Sequence, residues 1–181
     1  MTETPNPAQR AGFAAIIGAP NAGKSTLVNR LTGSKVSIVT QKVQTTRFPV
    51  RGIAMEGDAQ IILVDTPGIF TPRRRLDRAM VASAWGGAED ADIVVHLIDA
   101  QSHINAEGRD GTAADRRSAE DTETIIANLQ ATGTKVVLAL NKIDGMRRDT
   151  LLALSQRLFD TGVYSEVYMI SALSGDGVDD L

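Results

Sequence analysis

A chain of 181 residues, 43% hydrophobic and 23% charged, has the make-up of one globular domain with a real core and is too short for two comfortable ones. Its net charge of −3 gives no global attraction to nucleic acid or anionic lipid, so RNA binding would need a local patch or further sequence. With no cysteine there are no disulfides, thiolate zinc sites or cysteine nucleophiles, and two histidines make a histidine-built metal centre improbable.

Residues 1–10 carry two prolines and little that is apolar, and are expected to form a mobile tail. They lack the apolar stretch of a secretory leader, and no later run approaches the ~18–20 residues that span a bilayer. The expectation is a cytoplasmic protein.

Phe13-Ala14-Ala15-Ile16-Ile17 reads as a buried strand. It leads into Gly18-Ala19-Pro20-Asn21-Ala22-Gly23-Lys24-Ser25, which fits the phosphate-loop pattern G-x-x-x-x-G-K-[ST]. Its glycines let the backbone turn tightly and aim consecutive N–H groups at phosphate oxygens. Lys24 is placed to reach the β and γ phosphates, and the Ser25 hydroxyl to ligate magnesium. The helix predicted from Thr26 to Leu31 adds its positive end to the same anion site. This predicts nucleotide binding, with Ala22, Gly23 and Thr26 completing the phosphate-contacting set.

Residues 32–47 are polar without strong periodicity, and a connection that long is expected to be functional or mobile. Val50–Met55 and Gln60–Asp65 read as two strands of an antiparallel hairpin turning at Glu56-Gly57-Asp58. Asp65-Thr66-Pro67-Gly68 closes the second strand. An arginine-rich loop leads to a helix around Leu76–Trp85 that Gly86-Gly87 is expected to stop. Asp92–Asp99 reads as a buried strand with His96 as a satisfied core residue. Residues 101–117, polar with two glycines, read as a surface insertion, and Ser118-x-x-Asp121 as a capping-box start of the next helix. Lys135–Leu140 is a further buried strand, followed by a helix carrying Leu151, Leu154 and Leu158 that ends at Gly162. Glu166–Ile170 is the last strand.

Alternation of this kind predicts an α/β fold, a doubly wound, mostly parallel six-stranded sheet with one antiparallel strand and helices on both faces. Each motif falls just after a predicted strand, so all should converge at the carboxyl edge of the sheet.

Asn141-Lys142-Ile143-Asp144 selects the base. A carboxylate accepts side by side from guanine N1–H and the 2-amino group; adenine lacks that donor pair and would leave Asp144 unpaired. Asn141 can brace the loop and touch the base edge, and the Lys142 stem can cover the base face.

With these residues assembled, the chain resembles the Ras-like P-loop GTPases, and among them the Era class of bacterial ribosome-assembly GTPases, over about residues 12–181. The resemblance rests on Gly18–Ser25, Gln44-Thr45-Thr46-Arg47, Asp65–Gly68, Asn141–Asp144 and Ser171-Ala172-Leu173. Phe48 after Arg47, where the tRNA-modification GTPases continue with aspartate, and the run Arg73-Arg74-Arg75-Leu76-Asp77 also look Era-like. The resemblance implies a GTP-hydrolysing switch in small ribosomal subunit assembly and 16S rRNA maturation. Lys24, Thr46, Gly68 and Asn21 would carry catalysis, and Ser25, Thr46 and Asp65 would hold Mg2+. Ser171, Ala172 and Leu173 would complete the guanine pocket. It further implies a domain over residues 11–181, without the usual final helix and the RNA-binding KH domain. Weak or no RNA binding by this chain alone, a monomer, and a cytoplasmic or peripheral inner-membrane location follow. Alternatives are the G domain of a tRNA-modification enzyme, or a nucleotide-dependent binding module with incidental hydrolysis.

One departure matters. After Gly68, where Ras-like proteins carry a water-orienting glutamine, this chain has Ile69. Isoleucine has no acid, base or dipole, so its truncation is expected to spare catalysis. Asn21 matches the asparagine that helps hold K+ in hydrophobic-substituted relatives.

Overall fold

The computed structural model describes residues 10–33, 50–64, 66–70 and 75–181. Residues 1–9 of the tail expected over 1–10, the connection through Gln44–Phe48 with Thr46, and Asp65, Arg73 and Arg74 lie outside the described residues, while Arg10 belongs not to a tail but to the first strand. The elements run β1 (Arg10–Ile17), α1 (Lys24–Gly33), β2 (Val50–Glu56), β3 (Ala59–Val64), α2 (Arg75–Glu89), β4 (Ile93–Asp99), α3 (Ala100–Glu107), α4 (Ala113–Thr132), β5 (Val136–Asn141), α5 (Arg148–Phe159) and β6 (Tyr164–Met169).

Among the described residues six strands form one sheet in the order β2-β3-β1-β4-β5-β6. Only β2 against β3 is antiparallel; every other pair is parallel, as the alternation predicts. Successive residues of a strand point to opposite faces, so each central strand feeds two cores. Ile17, Ile98, Leu138 and Leu140 pack with Ile125 and Leu129 of α4 and Leu151, Leu154 and Leu158 of α5. Ile16, Leu97, Val137 and Ala139 pack on the other face with Leu27 and Val28 of α1 and with Ile170 and Val178. Each buried leucine or isoleucine contributes about 1.5–3 kcal/mol of transfer free energy. Being apolar on both faces is what makes β5 read as an unbroken hydrophobic run.

Four further expectations need correction. The Gly86-Gly87 pair does not end α2, which continues to Glu89. Trp85 and Ala88 pack on the core there, and that packing outweighs the helix penalty of about 1 kcal/mol per glycine. Residues 101–117 are not an insertion but α3, a short turn and the start of α4. The helix α4 begins at Ala113, capped by Thr112. The Thr112 side chain accepts from the Asp115 N–H, while the Asp115 carboxylate accepts from the Thr112 N–H. Ser118 and Asp121 therefore sit inside the helix, and the capping box lies two turns earlier. His96 is 0% exposed, with Nδ1 sharing a 2.9 Å hydrogen bond with the Tyr164 hydroxyl, but Nε2 has no partner among the described residues. Burial first, then the charges of Lys24 and His103, pushes its pKa down to about 3.

Among the described residues no helix is long and apolar enough to cross a membrane.

Candidate nucleotide site

The loop between β1 and α1 is shaped by close approach. Gly23 has φ +102°, and a Cβ there would lie 2.3 Å from Asn141 Nδ2; at Gly18 it would lie 2.3 Å from the Leu97 carbonyl oxygen. Only glycine fits either position. Lys24 opens α1 and arches back over the loop, donating to the carbonyls of Gly18 at 3.0 Å and Ala19 at 2.8 Å. Ser25 and Thr26, in the first turn of α1, are exposed beside it, and Ala22 is buried.

The segment after β3 lies against this loop. The Thr66 hydroxyl donates to the Ile16 carbonyl, and the Ile69 N–H donates to the Gly18 carbonyl at 3.0 Å. A Cβ on Gly68 would meet Pro20 at 3.2 Å, so the two segments nearly touch. Ile69 itself is 1% exposed and belongs to the core cluster with Ile17 and Ile98. Beyond lacking a dipole, it plugs the core and anchors the segment that presents Gly68.

The base loop forms where β5 and β6 end. Asn141, the last residue of β5, is buried and divided between two loops. Its Nδ2 donates to the Ala22 carbonyl at 2.8 Å, and its Oδ1 accepts from the Ala172 N–H at 2.9 Å. Lys142 donates to the Asn21 carbonyl at 2.9 Å and to Asp99 Oδ2 at 2.5 Å. The Ser171 hydroxyl donates to Asp144 Oδ1 at 2.8 Å and accepts from the Ser174 N–H at 3.0 Å. Asp144 is otherwise exposed. Leu173 is 76% exposed at the rim.

Asn21, Ala22, Gly23, Lys24, Ser25, Thr26, Gly68, Asn141, Lys142, Asp144, Ser171, Ala172 and Leu173 thus all fall at the carboxyl edge of the sheet, on segments that directly bond one another or adjoin those that do. Thr46 and Asp65 lie outside the described residues. Two residues at this edge escaped the sequence reading. Arg30, near the end of α1, donates through Nε to the Ala172 carbonyl at 2.7 Å and through Nη2 to the Leu173 carbonyl. No local signal marks it. Asp99 caps α3 and meets Lys142; an aspartate between a strand and a helix start is a legible cap, though its lysine partner is not.

A family model described as 50S ribosome-binding GTPase matches residues 13–142. GTPase Era of Caulobacter vibrioides (strain NA1000 / CB15N) is 66% identical over 181 residues, the whole of this chain and 57% of that protein. GTPase Era of Maricaulis maris (strain MCS10) is 56% identical over the same span, again 57% of its length. The chain therefore spans little more than half the length of the curated relatives it matches. The crystal structure of Era in complex with MgGDPNP and nucleotides 1506–1542 of 16S ribosomal RNA superposes with a TM-score of 0.68 at 35% identity, covering 95% of this chain and 54% of that one. An Aquifex aeolicus Era variant bound to GDP and AlF4− gives a TM-score of 0.68 at 36% identity, covering 94% and 54%. A family model spanning well over half the chain, on a fold and loop set of the matching kind, means that this chain belongs to the 50S ribosome-binding GTPase family, with Era GTPases as its relatives.

Proposed function

We propose that the chain is a GTP-binding and GTP-hydrolysing switch domain, spanning residues 11–181, of an Era-like protein acting in small ribosomal subunit assembly and 16S rRNA maturation. The observation that carries this reading is the bonding of the base loop to the phosphate loop through Asn141 and Lys142, with the exposed Asp144 held by Ser171 beside them. Asp144 pairs with guanine N1–H and the 2-amino group, and Ser171, Ala172 and Leu173 enclose the base edge. Backbone N–H groups of Asn21 to Thr26 and the Lys24 ammonium take the phosphates.

Ser25 presents a hydroxyl at the head of α1, and no group of three or more acidic or imidazole side chains gathers among the described residues. A hydroxyl at the mouth of the phosphate loop suits Mg2+, which keeps waters and phosphate oxygens among its ligands. Ser25, Thr46 and Asp65 would hold it, and when bound it neutralises charge building on the β and γ phosphates. Water attacks the γ-phosphorus, the bond to the bridging β–γ oxygen breaks, and GDP and phosphate leave. Gly68 and Thr46 read the γ-phosphate through backbone and hydroxyl. Ile69 cannot orient water; Asn21 would help hold a K+ ion, which would supply positive charge to the phosphates as the β–γ bond breaks. Turnover should then be faster in potassium than in sodium at equal ionic strength, and equal rates would remove that assignment.

A relative crystallised with 16S rRNA and a GTP analogue supports rRNA as a partner of the whole protein. With a net charge of −3, this chain is expected to bind RNA feebly by itself, the KH domain of Era-like proteins carrying most of that contact. We place the protein in the cytoplasm as a monomer.

The test is Asp144→Asn. One acceptor becomes a donor facing guanine, and GDP affinity should fall by about 2–4 kcal/mol, with partial rescue by xanthine nucleotides. Unchanged GDP affinity in a calorimetric titration would remove the guanine assignment.

A further inference from the structure

Two residues other than glycine hold a positive φ among the described residues, Asn21 and Lys142, both at 64°. One sits in the phosphate loop and the other in the base loop. The two are joined, because Lys142 Nζ donates to the Asn21 carbonyl. A left-handed lysine is uncommon; its Cβ crowds the following carbonyl, so the surroundings must hold it there. The same ammonium lies 2.5 Å from Asp99 Oδ2, and Asp99 is 7% exposed. The carboxylate is pinned from its other side by α3, accepting from the Ser102 N–H at 2.9 Å and the Ser102 hydroxyl at 3.1 Å. A carboxylate this far from solvent is stable only with such donors and an opposite charge.

We propose that Asp99 is a positioning residue for nucleotide binding. It holds the Lys142 ammonium over the Asn21 carbonyl and so locks the left-handed turns of both loops in register, with the amino end of α3 as its anchor. The ligand in this statement rests on the guanine-nucleotide reading above; the lock itself belongs to the protein alone. Two roles of Asp99 can be separated chemically. Asparagine caps a helix as well as aspartate does, but brings no charge to a lysine. Asp99→Asn therefore keeps the cap of α3 and removes the lock.

The experiment compares the whole chain as wild type, Asp99→Asn, Lys142→Met and the double variant. Amide exchange is followed without nucleotide, and GDP is titrated with ADP as control. In Asp99→Asn, exchange over residues 20–25 and 142–145 should rise roughly tenfold, while amides 103–107 of α3 keep wild-type protection. GDP binding should weaken about tenfold, Lys142→Met should match it, and the double variant should be no worse than either single one. Unaltered loop exchange in Asp99→Asn, loss of protection spreading into α3, or additive effects of the two substitutions would each overturn the role. A wild type that prefers ADP would instead sink the guanine reading, and loop exchange would still decide whether Asp99 holds the loops.

Discussion

The phosphate loop and the base loop face the same ligand but are built by different means. The phosphate loop is a backbone device: its shape comes from Gly18 and Gly23, its offered groups are main-chain N–H, and Lys24 spans it. The base loop is a side-chain device, in which Asn141, Lys142, Asp144 and Ser171 make its defining bonds. A backbone device tolerates most side-chain changes and fails where a Cβ intrudes. A side-chain device fails at any polar member, and each failure is partial because the bonds are separate.

The substitution expected to break this contrast most severely is Gly23→Ala, because it damages both devices at once. The added methyl would meet Asn141 Nδ2 at 2.3 Å and impose φ +102° on a residue with a Cβ. Strain of about 1–3 kcal/mol and the loss of a buried hydrogen bond of similar size should abolish measurable GDP binding and lower the urea midpoint. Retained GDP affinity in that variant would mean that the two loops are not packed as described.

Ile69→Ala should act next most strongly, and through stability. Removing a core side chain leaves a cavity and costs on the order of 2–4 kcal/mol in denaturant unfolding. Side-chain chemistry alone suggests that this truncation spares catalysis; because Ile69 anchors the segment that bears Gly68, turnover measured well below the melting temperature should instead drop. A fully stable variant would refute its packing role.

The smallest effect sharpens the comparison from the base side. Arg30→Met removes two donors, one half-buried and one exposed, from the carbonyls of Ala172 and Leu173 and touches nothing in the phosphate loop. GDP affinity should fall a few-fold, about 0.5–1.5 kcal/mol, while urea stability stays within about 0.5 kcal/mol. A large stability loss would show that Arg30 holds the fold rather than the base loop.

The same division explains what the sequence made legible. The phosphate loop is local, eight consecutive residues whose glycines and lysine announce themselves. The strands were legible because β4 and β5 are apolar on both faces, and the hairpin because Glu56-Gly57-Asp58 turns it. Residues 101–117 were misread because α3 and the first turns of α4 present little apolar periodicity; their caps, Asp99 and the Thr112–Asp115 pair, carry the signal instead. Gly86 and Gly87 misled because propensity is a weak guide where Trp85 and Ala88 pack. The long-range bonds of Arg30 and Asp99 were hidden for a plainer reason. Their partners lie 142 and 43 residues away, and only the sheet order brings them together.

That sheet order also schedules how the chain can mature during synthesis. The strand β1, first in chain order among the described residues, ends up between β3 and β4 and cannot pair until residues well beyond it have emerged. Its phosphate loop is then braced by Asn141, and Asn141 in turn by Ala172. At translation speeds of about 5–20 residues per second, on the order of ten seconds separate the making of Lys24 from the making of Ala172. Throughout that interval the phosphate-binding segment exists as sequence but not as a site. A nascent chain of this kind should acquire affinity for nucleotide abruptly and late, so that GTP can protect only a domain whose last strand has already joined the sheet.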